Sequence, residues 1–187
     1  MGLLAMCAAL FPAFASAGII GGPIVNPAND HTYYLLDKTT WAASEAEAVA
    51  LGGDLVTIND AAENAWVYAM FSIFDGIDRG LWIGLNDYAD KGTFSWVSGQ
   101  PVTYTNWAAG EPNDSGGDED AVHIESPRFR GPFWNDRNGN TFNVGSGQWG
   151  VVEVVPEPSA CVLLASGLLA TGLAAVRRRR HAGYRSA

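Results

Sequence analysis

Apolar and polar residues follow a helical spacing in two segments of the first half of the chain. Thr40 to Leu51 has the Ala and Glu spacing of a helix, which the pair Gly52-Gly53 ends. Asp60-Ala61-Ala62-Glu63 has the pattern of a capping box and predicts the start of a second helix. The apolar positions of this second helix fall on one face, and we expect them to lie in the core: Ala62, Trp66, Met70 and Ile73.

Shorter apolar runs predict strands in the remainder of the chain. These runs are Leu81 to Leu85, Ser95 to Val97, Ala121 to Glu125 and Trp149 to Val155. The region between Asn86 and Asp120 is rich in Gly, Asn and Asp, and it predicts binding loops, because long segments of this kind are usually functional or disordered. With 187 residues and two atypical ends, the chain has room for one domain of about 100 to 150 residues.

The first end, residues 1–17, has the pattern of a signal peptide. An apolar run from Leu3 to Phe14 precedes Ala15-Ser16-Ala17, which matches a small-residue cleavage site. The positive charges usual at the start of such a peptide are missing, so either the true start lies upstream or the segment is an unusual one. A buried helix is disfavoured here because Phe11-Pro12 and Gly18 would break it. Residues 18–32 are then a lead-in to the domain, which we place at 33–155.

The other end, residues 156–187, has three parts. A Pro-Glu-Pro motif at Pro156-Glu157-Pro158 precedes an apolar stretch at about 160–176 and a run of four arginines, Arg177 to Arg180. The apolar stretch is about the shortest that spans a bilayer, and the arginines would stay in the cytoplasm. This tail resembles the PEP-CTERM sorting signal of Gram-negative bacteria, which implies cleavage by an exosortase, transient anchoring in the inner membrane, and a final place at the cell surface or outside the cell. The alternative is an ordinary C-terminal membrane anchor.

Charge is distributed unevenly along the chain. The formal net charge is −9, but five of the 11 basic residues lie in the tail, at Arg177, Arg178, Arg179, Arg180 and Arg185. The other 6 basic residues and all 20 acidic ones precede Arg177, so residues 1–176 carry −14. We exclude nucleic acid as a partner, because phosphate recognition needs clustered Lys and Arg.

Three short segments combine carboxylate and amide oxygens. They are Glu111-Pro112-Asn113-Asp114, Glu119-Asp120 and Trp134-Asn135-Asp136, and no Lys or Arg lies between Glu111 and Asp120. Ca²⁺ takes roughly six to eight oxygen ligands of these types, and a divalent cation would relieve the repulsion among the carboxylates. The segments therefore predict a calcium site, with a solvated acidic loop as the alternative.

These segments also carry a family resemblance. Together with Trp82-Ile83-Gly84-Leu85, Trp107 and the stretches 40–46 and 51–58, they resemble the C-type lectin-like domain in order across residues 33–154. The resemblance implies an α+β fold in which two helices pack on small antiparallel sheets and a long loop region binds calcium. It also implies a cis bond before Pro112 and a sugar that places two neighbouring hydroxyls on the ion.

The resemblance implies one set of ligands for both the metal and the carbohydrate: Glu111, Asn113, Glu119, Asn135 and Asp136. Glu-Pro-Asn implies a preference for mannose- and glucose-type sugars, and the extra residues between Glu119 and Trp134 are expected to form an outward loop at 126–132. A second metal site would use Asp87, Asp114, Glu119 and Asp120. Lys91 stands where the family usually has another acid, so the alternative for this second site is a hydrogen-bonded loop.

The cysteines depart from the family. Only Cys7 and Cys161 occur, both in the end segments, so we expect a domain without disulfides, in which Ala48, Val152 and Ala121 replace cysteines of the family. We also expect no enzyme, because His31, His123 and His181 have no nucleophile motif, and adjacent carboxylates held by a metal do not suit glycosidase chemistry. The predicted function is calcium-dependent carbohydrate binding, with an extracellular polysaccharide as ligand. The alternative is a structural or protein-binding matrix module whose calcium only orders the loop.

Overall fold

The computed structural model describes residues 18–140 and 147–156. The chain divides into two units, Met1–Val154 and Val155–Ala187, and all elements below belong to the first. The signal peptide and the apolar segment at about 160–176 lie outside the described residues. Within 18–140 and 147–156, no helix has the length and apolarity needed to cross a bilayer, and no cysteine occurs.

The elements follow one another along the chain as strands and two helices. Their order is β1 (Ile19–Val25), β2 (Thr32–Thr39), α1 (Trp41–Ala50), β3 (Asp54–Leu55), α2 (Ala61–Phe71), a 3-10 turn (Phe74–Gly76), β4 (Leu81–Asn86), β5 (Ser95–Trp96), β6 (Ala121–Ile124), β7 (Trp134–Arg137) and β8 (Gln148–Val154). Both predicted helices and all four predicted strands are present, with ends that differ by one or two residues.

Side-chain caps start both helices. The Thr40 hydroxyl accepts the backbone N–H of Ala43 at 3.2 Å and begins α1. In α2, the Asp60 carboxylate accepts the N–H of Glu63 at 2.8 Å, and the Glu63 carboxylate accepts the N–H of Asn59 at 2.8 Å. The helix start predicted at Asp60 is therefore confirmed, with one difference from a capping box: the Glu63 side chain binds the residue before the N-cap instead of the N-cap itself.

The buried face of α2 agrees with the predicted one only in part, because Trp66 and Met70 are partly buried and pack against the core. Val67 and Phe71 are fully buried, whereas Ala62 is exposed and Ile73 is 57% exposed. Ile73 lies beyond the end of the helix at Phe71, so the helical period no longer governs its direction. Buried Asn64 lies on the inner face instead, where its Oδ1 accepts a hydrogen bond from the core residue Trp134.

The strands form one sheet in the order β1-β2-β8-β4-β6-β7, with β3 paired to β8 and β5 paired to β4. Every pairing is antiparallel except that of β4 with β8, where Leu81 lies opposite Trp149. The predicted α+β fold is confirmed, and this parallel pairing joins the antiparallel parts into a single mixed sheet. The lead-in is part of the sheet, because β1 pairs with β2.

Trp134 is the side chain that connects the core to the loops. It is fully buried, and the rings of Trp96, Tyr104 and Trp107 pack edge-on against it at centroid distances of 5.9, 5.7 and 5.9 Å. Its indole N–H donates to Asn64 Oδ1 of α2 at 2.7 Å. These contacts fix the position of Trp134, and with it the backbone position from which Asn135 and Asp136 continue β7.

Candidate functional site

Backbone pairing brings the Glu-Pro-Asn loop beside β7. The N–H of Ala108 donates to the carbonyl of Trp134 at 2.8 Å, and the N–H of Trp134 donates to the carbonyl of Asn106 at 2.8 Å. The chain then turns through Gly110, which has a φ of 91° that favours glycine, into a cis bond between Glu111 and Pro112. The expected cis geometry before Pro112 is present.

Asp136 holds the residues that follow this proline. Its carboxylate accepts the backbone N–H of Asn113 at 3.1 Å and that of Asp114 at 2.8 Å. The Asn113 amide donates to Oε2 of Glu111. The structure therefore brings three of the five predicted ligands, Glu111, Asn113 and Asp136, into direct hydrogen-bonded contact across 25 residues of sequence.

Glu119 lies at the edge of the same group. Its carboxylate accepts the N–H of Ser115 at 2.7 Å, and its own N–H donates to Asp114 Oδ1 at 3.2 Å. Burial raises the pKa of the Glu119 carboxyl, and the negative charges of Asp136 and Glu111 raise it further against the effect of the Ser115 hydrogen bond. Glu119 is thus joined to the group through its hydrogen bonds with Ser115 and Asp114, and no direct hydrogen bond joins its carboxylate to Glu111 or Asp136 among the described residues.

Asn135 contacts a different residue. Its amide Nδ2 donates to Glu125 Oε1 at 3.3 Å, and its Oδ1 is buried without a hydrogen-bond partner among the residues that the structure describes. A buried acceptor without a hydrogen bond lowers the stability of the fold by about 1 to 3 kcal/mol. Binding of a cation or water to this oxygen is therefore favourable. Together with three carboxylates and the Asn113 amide, it gives an oxygen-rich donor set that fits Ca²⁺.

The residues predicted for a second metal surround a lysine. The Lys91 ammonium lies 2.6 Å from Asp114 Oδ1, 2.9 Å from Asp120 Oδ1 and 3.8 Å from Asp87 Oδ2. It also donates to the Glu119 carbonyl at 3.3 Å, beside a cavity of about 210 Å³. The second site stays a prediction, and these contacts weigh against it because a side-chain cation already neutralises the carboxylates.

The same contacts shift the pKa values in this network. Desolvation opposes the charged ammonium of Lys91, but its hydrogen bonds to Asp114 and Asp120 outweigh that effect and raise its pKa. The hydrogen bond from Lys91 lowers the pKa of Asp114. Lys91 and Asp114 are therefore both charged at neutral pH.

The inserted segment between β6 and β7 reaches back to the site. Arg128 and Phe129 at its tip are 82% and 80% exposed, as expected for an outward loop. Arg130, however, donates from Nη1 to Oε1 of Glu111 at 2.7 Å. Sequence spacing gave no signal for this contact, since the two residues are 19 positions apart and the insertion is a departure from the family pattern.

A second group of metal-ligating side chains lies elsewhere, at His31, Glu63 and Glu153. His31 Nδ1 lies 2.6 Å from Glu153 Oε1, and the Tyr33 hydroxyl lies 2.8 Å from Glu63 Oε1 and 3.0 Å from Glu153 Oε1. Backbone N–H groups of Thr57 and Asn59 donate to the remaining carboxylate oxygens. This group links β2, β8 and the start of α2. Its carboxylate oxygens already accept the hydrogen bonds that form within the group.

The chain is similar to proteins of one family. The model of the lectin C-type domain matches residues 37–144. A perlucin-like protein of Mytilus galloprovincialis is 31% identical over 144 residues, which cover 73% of this chain and 90% of that relative. The alpha-N-acetylgalactosamine-specific lectin of Patiria pectinifera is 40% identical over 85 residues, 45% of this chain, and the match spans only half (50%) of that relative's length. The solved C-type lectin CEL-I from Cucumaria echinata has a TM-score of 0.59 at 30% identity, covering 68% of this chain and 92% of CEL-I.

Proposed function

Because this chain belongs to the C-type lectin domain family, we propose that it binds carbohydrate through a calcium ion and catalyses no reaction. The residues that would hold the ion are Glu111, Asn113, Glu119, Asn135 and Asp136. Once bound, Ca²⁺ would supply coordination positions for two neighbouring sugar hydroxyls. The observation that carries this proposal is the Oδ1 of Asn135, which is buried and has no hydrogen-bond partner in 18–140 and 147–156, beside Asp136, whose carboxylate already positions Asn113.

The side chains supply the remaining recognition. Carboxylates such as Glu111 and Glu119 accept hydrogen bonds from sugar hydroxyls, while the amide NH₂ of Asn113 donates hydrogen bonds to hydroxyl oxygens. The Glu-Pro-Asn motif supports a preference for mannose- and glucose-type sugars. The Patiria relative is named for a different sugar, so a binding panel must include both sugar classes.

The proposed setting is outside a Gram-negative bacterial cell. The N-terminal pattern at 1–17 supports export, and the Pro-Glu-Pro tail at 156–187 supports transient anchoring in the inner membrane and processing by an exosortase. An extracellular polysaccharide is the proposed ligand.

One observation favours a second candidate function. Lys91 and Arg130 already pair with acidic residues of the loop region, so these loops have internal counter-charges that do not depend on an ion. These internal ion pairs would be sufficient to order the loops of a structural or protein-binding module. Under this alternative, calcium would order the loop without contacting any sugar.

Thermal unfolding of the full-length protein with EDTA and with Ca²⁺ separates the two. Calcium is expected to raise Tm, and the double variant Asn135→Ala, Asp136→Ala is expected to lose that rise. An Asp90→Ala variant is the matched control, because it removes an exposed acid of the same region that is outside the ligand set. Absence of any rise at millimolar Ca²⁺ would reject the calcium mechanism, and a rise without binding to any glycan would favour the alternative.

A further inference from the structure

Arg130 has donors to spare beside the proposed sugar site. The guanidinium group carries five N–H donors. The structure uses Nη1 for Glu111, whose side chain is only 3% exposed, while the Arg130 side chain remains 48% exposed. About half of the Arg130 side chain therefore faces solvent while Nη1 is held by Glu111. An arginine fixed in this way is preorganised to bind a carboxylate through paired N–H donors.

The charge of Arg130 affects which sugars the site can bind. Glu111, Glu119 and Asp136 together carry three negative charges, and a calcium ion would neutralise two of them. Arg130 would neutralise the third, because it lies 2.7 Å from Glu111. Without it, the loaded site and the strongly acidic domain around it would repel an anionic sugar.

We propose that Arg130 makes this site select sugar residues that carry a carboxylate beside their hydroxyls, as in an acidic polysaccharide of uronic acid units. The inference rests on the proposed sugar-binding function and specifies its substrate class. The ligand carboxylate binds the exposed N–H donors of Arg130, while its hydroxyls bind the calcium site. Glu111 positions Arg130 for this role and keeps the guanidinium at the rim of the site.

Two oligosaccharides of equal length test the proposal on the full-length protein in Ca²⁺, one of mannose and one of mannuronic acid. Both sugars have the same ring hydroxyls at the second and third carbons, but mannuronic acid carries a carboxylate and mannose does not. The wild-type protein is expected to prefer the mannuronate oligomer, and Arg130→Gln is expected to reduce that preference about tenfold, a typical value for one charge-assisted hydrogen bond. Arg128→Gln is the matched control, since Arg128 lies on the same loop but pairs with Asp78 at 3.3 Å.

Calcium affinity measured without sugar gives an independent readout. Removing a positive charge from beside the ligands should make Ca²⁺ bind about three- to tenfold tighter to Arg130→Gln than to wild type. A merely structural role for Arg130 would weaken calcium and both oligosaccharides together. Opposite changes in calcium affinity and mannuronate affinity thus support the proposal.

Four results would overturn the proposal. Equal binding of both oligomers to the wild type, or the same preference in Arg130→Gln as in the wild type, rejects the role of Arg130 while calcium-dependent mannose binding keeps the proposed function. Loss of preference in Arg128→Gln to the same extent would show a general charge effect instead. If neither oligomer binds the wild type in Ca²⁺, the proposed function and this inference both fail.

Discussion

The Asp136 carboxylate accepts the backbone N–H of Asp114 at 2.8 Å, across a gap of 22 residues in sequence. Its second oxygen holds the N–H of Asn113 in the same way at 3.1 Å. A side chain expected to bind a metal is therefore already part of the hydrogen-bonded structure of the loop. Asn135, its neighbour in β7, leaves its Oδ1 buried and unpaired among the described residues.

This contrast predicts different effects for the two single variants. Asp136→Ala leaves two N–H donors without their acceptor and is expected to cost about 1 to 3 kcal/mol of stability even in EDTA. Asn135→Ala removes an unpaired acceptor and one long hydrogen bond, so its cost in EDTA should be below about 1 kcal/mol. Both should abolish the calcium-dependent rise in Tm. Denaturant unfolding with and without Ca²⁺ measures both effects, and equal costs in EDTA would contradict the prediction.

Lys91 predicts the number of calcium ions bound. Because its ammonium pairs with Asp114 and Asp120, we expect one Ca²⁺ per wild-type chain by calorimetric titration. Lys91→Glu replaces the cation with a carboxylate among Asp87, Asp114 and Asp120, and is expected to bind a second ion. Lys91→Met is the control that removes the charge without adding a ligand, and it should still bind one. Two ions on the wild-type protein would show that Lys91 moves aside.

Glu45 predicts a pH dependence far from the calcium site. Burial, with repulsion from Asp54, raises the pKa of Glu45 from 4.5 to about 6, against the hydrogen bond from the Leu55 N–H. Since the folded state favours the protonated form, this contribution to stability is fully present below about pH 4.5 and is lost as pH rises through about 6. After discounting for partial exposure, Glu45→Gln should be about 1 kcal/mol more stable than wild type near pH 7.

The check is denaturant unfolding of both proteins across this range in EDTA. The difference in stability should shrink towards zero at about pH 4, where the wild-type carboxyl is protonated. A constant difference at all pH values would mean that packing, and not ionisation, separates the two proteins. The variant Asp90→Asn, at an exposed acidic residue, gives the background effect of a charge change.

Asn64 predicts an effect of α2 on the binding loops. Its Oδ1 accepts the Trp134 indole N–H at 2.7 Å, and its Nδ2 donates to the Pro132 carbonyl at 3.1 Å. Asn64→Ala leaves the buried indole N–H unpaired, at a cost of about 1 to 3 kcal/mol, and should weaken calcium binding, because Trp134 directly precedes Asn135. Ala69→Ser on the exposed side of α2 is the control. Unchanged calcium affinity in Asn64→Ala, measured well below its Tm, would show that this core contact has no effect on calcium binding.

Much of the fold follows from local patterns in the sequence. The helical spacing from Thr40 to Leu51, the capping pattern at Asp60 and the apolar runs of β4, β6 and β8 predicted these elements within one or two residues. β1 was missed because Gly21-Gly22-Pro23 breaks its alternation and its register with β2 shifts twice. β7 was missed as a strand because Asn and Asp are depleted in strands and its pairing with β6 is long-range.

The candidate site was predictable only where sequence motifs define it. Glu111, Asn113 and Asp136 lie together, and the grouping of these residues was expected from the family resemblance of their motifs. The contacts of Lys91 with Asp114 and of Arg130 with Glu111 could not be predicted, because they depend on where two loops end in space. Side-chain ion pairs between separate loops leave no periodic signal in a sequence.

The inserted segment has a closed base and a free tip. At its base, the N–H groups of Phe129 and Gly131 donate to the Ser126 carbonyl at 3.0 and 3.3 Å, and Asn64 and Asn106 both donate to the Pro132 carbonyl. The residues between these two anchors can therefore vary while Ser126 and Pro132 hold the ends of the loop in place. Because Arg130 is one of these residues and pairs with Glu111, grafting other sequences between Ser126 and Pro132 would change the charge beside the proposed calcium ligands together with the sugar that the site selects.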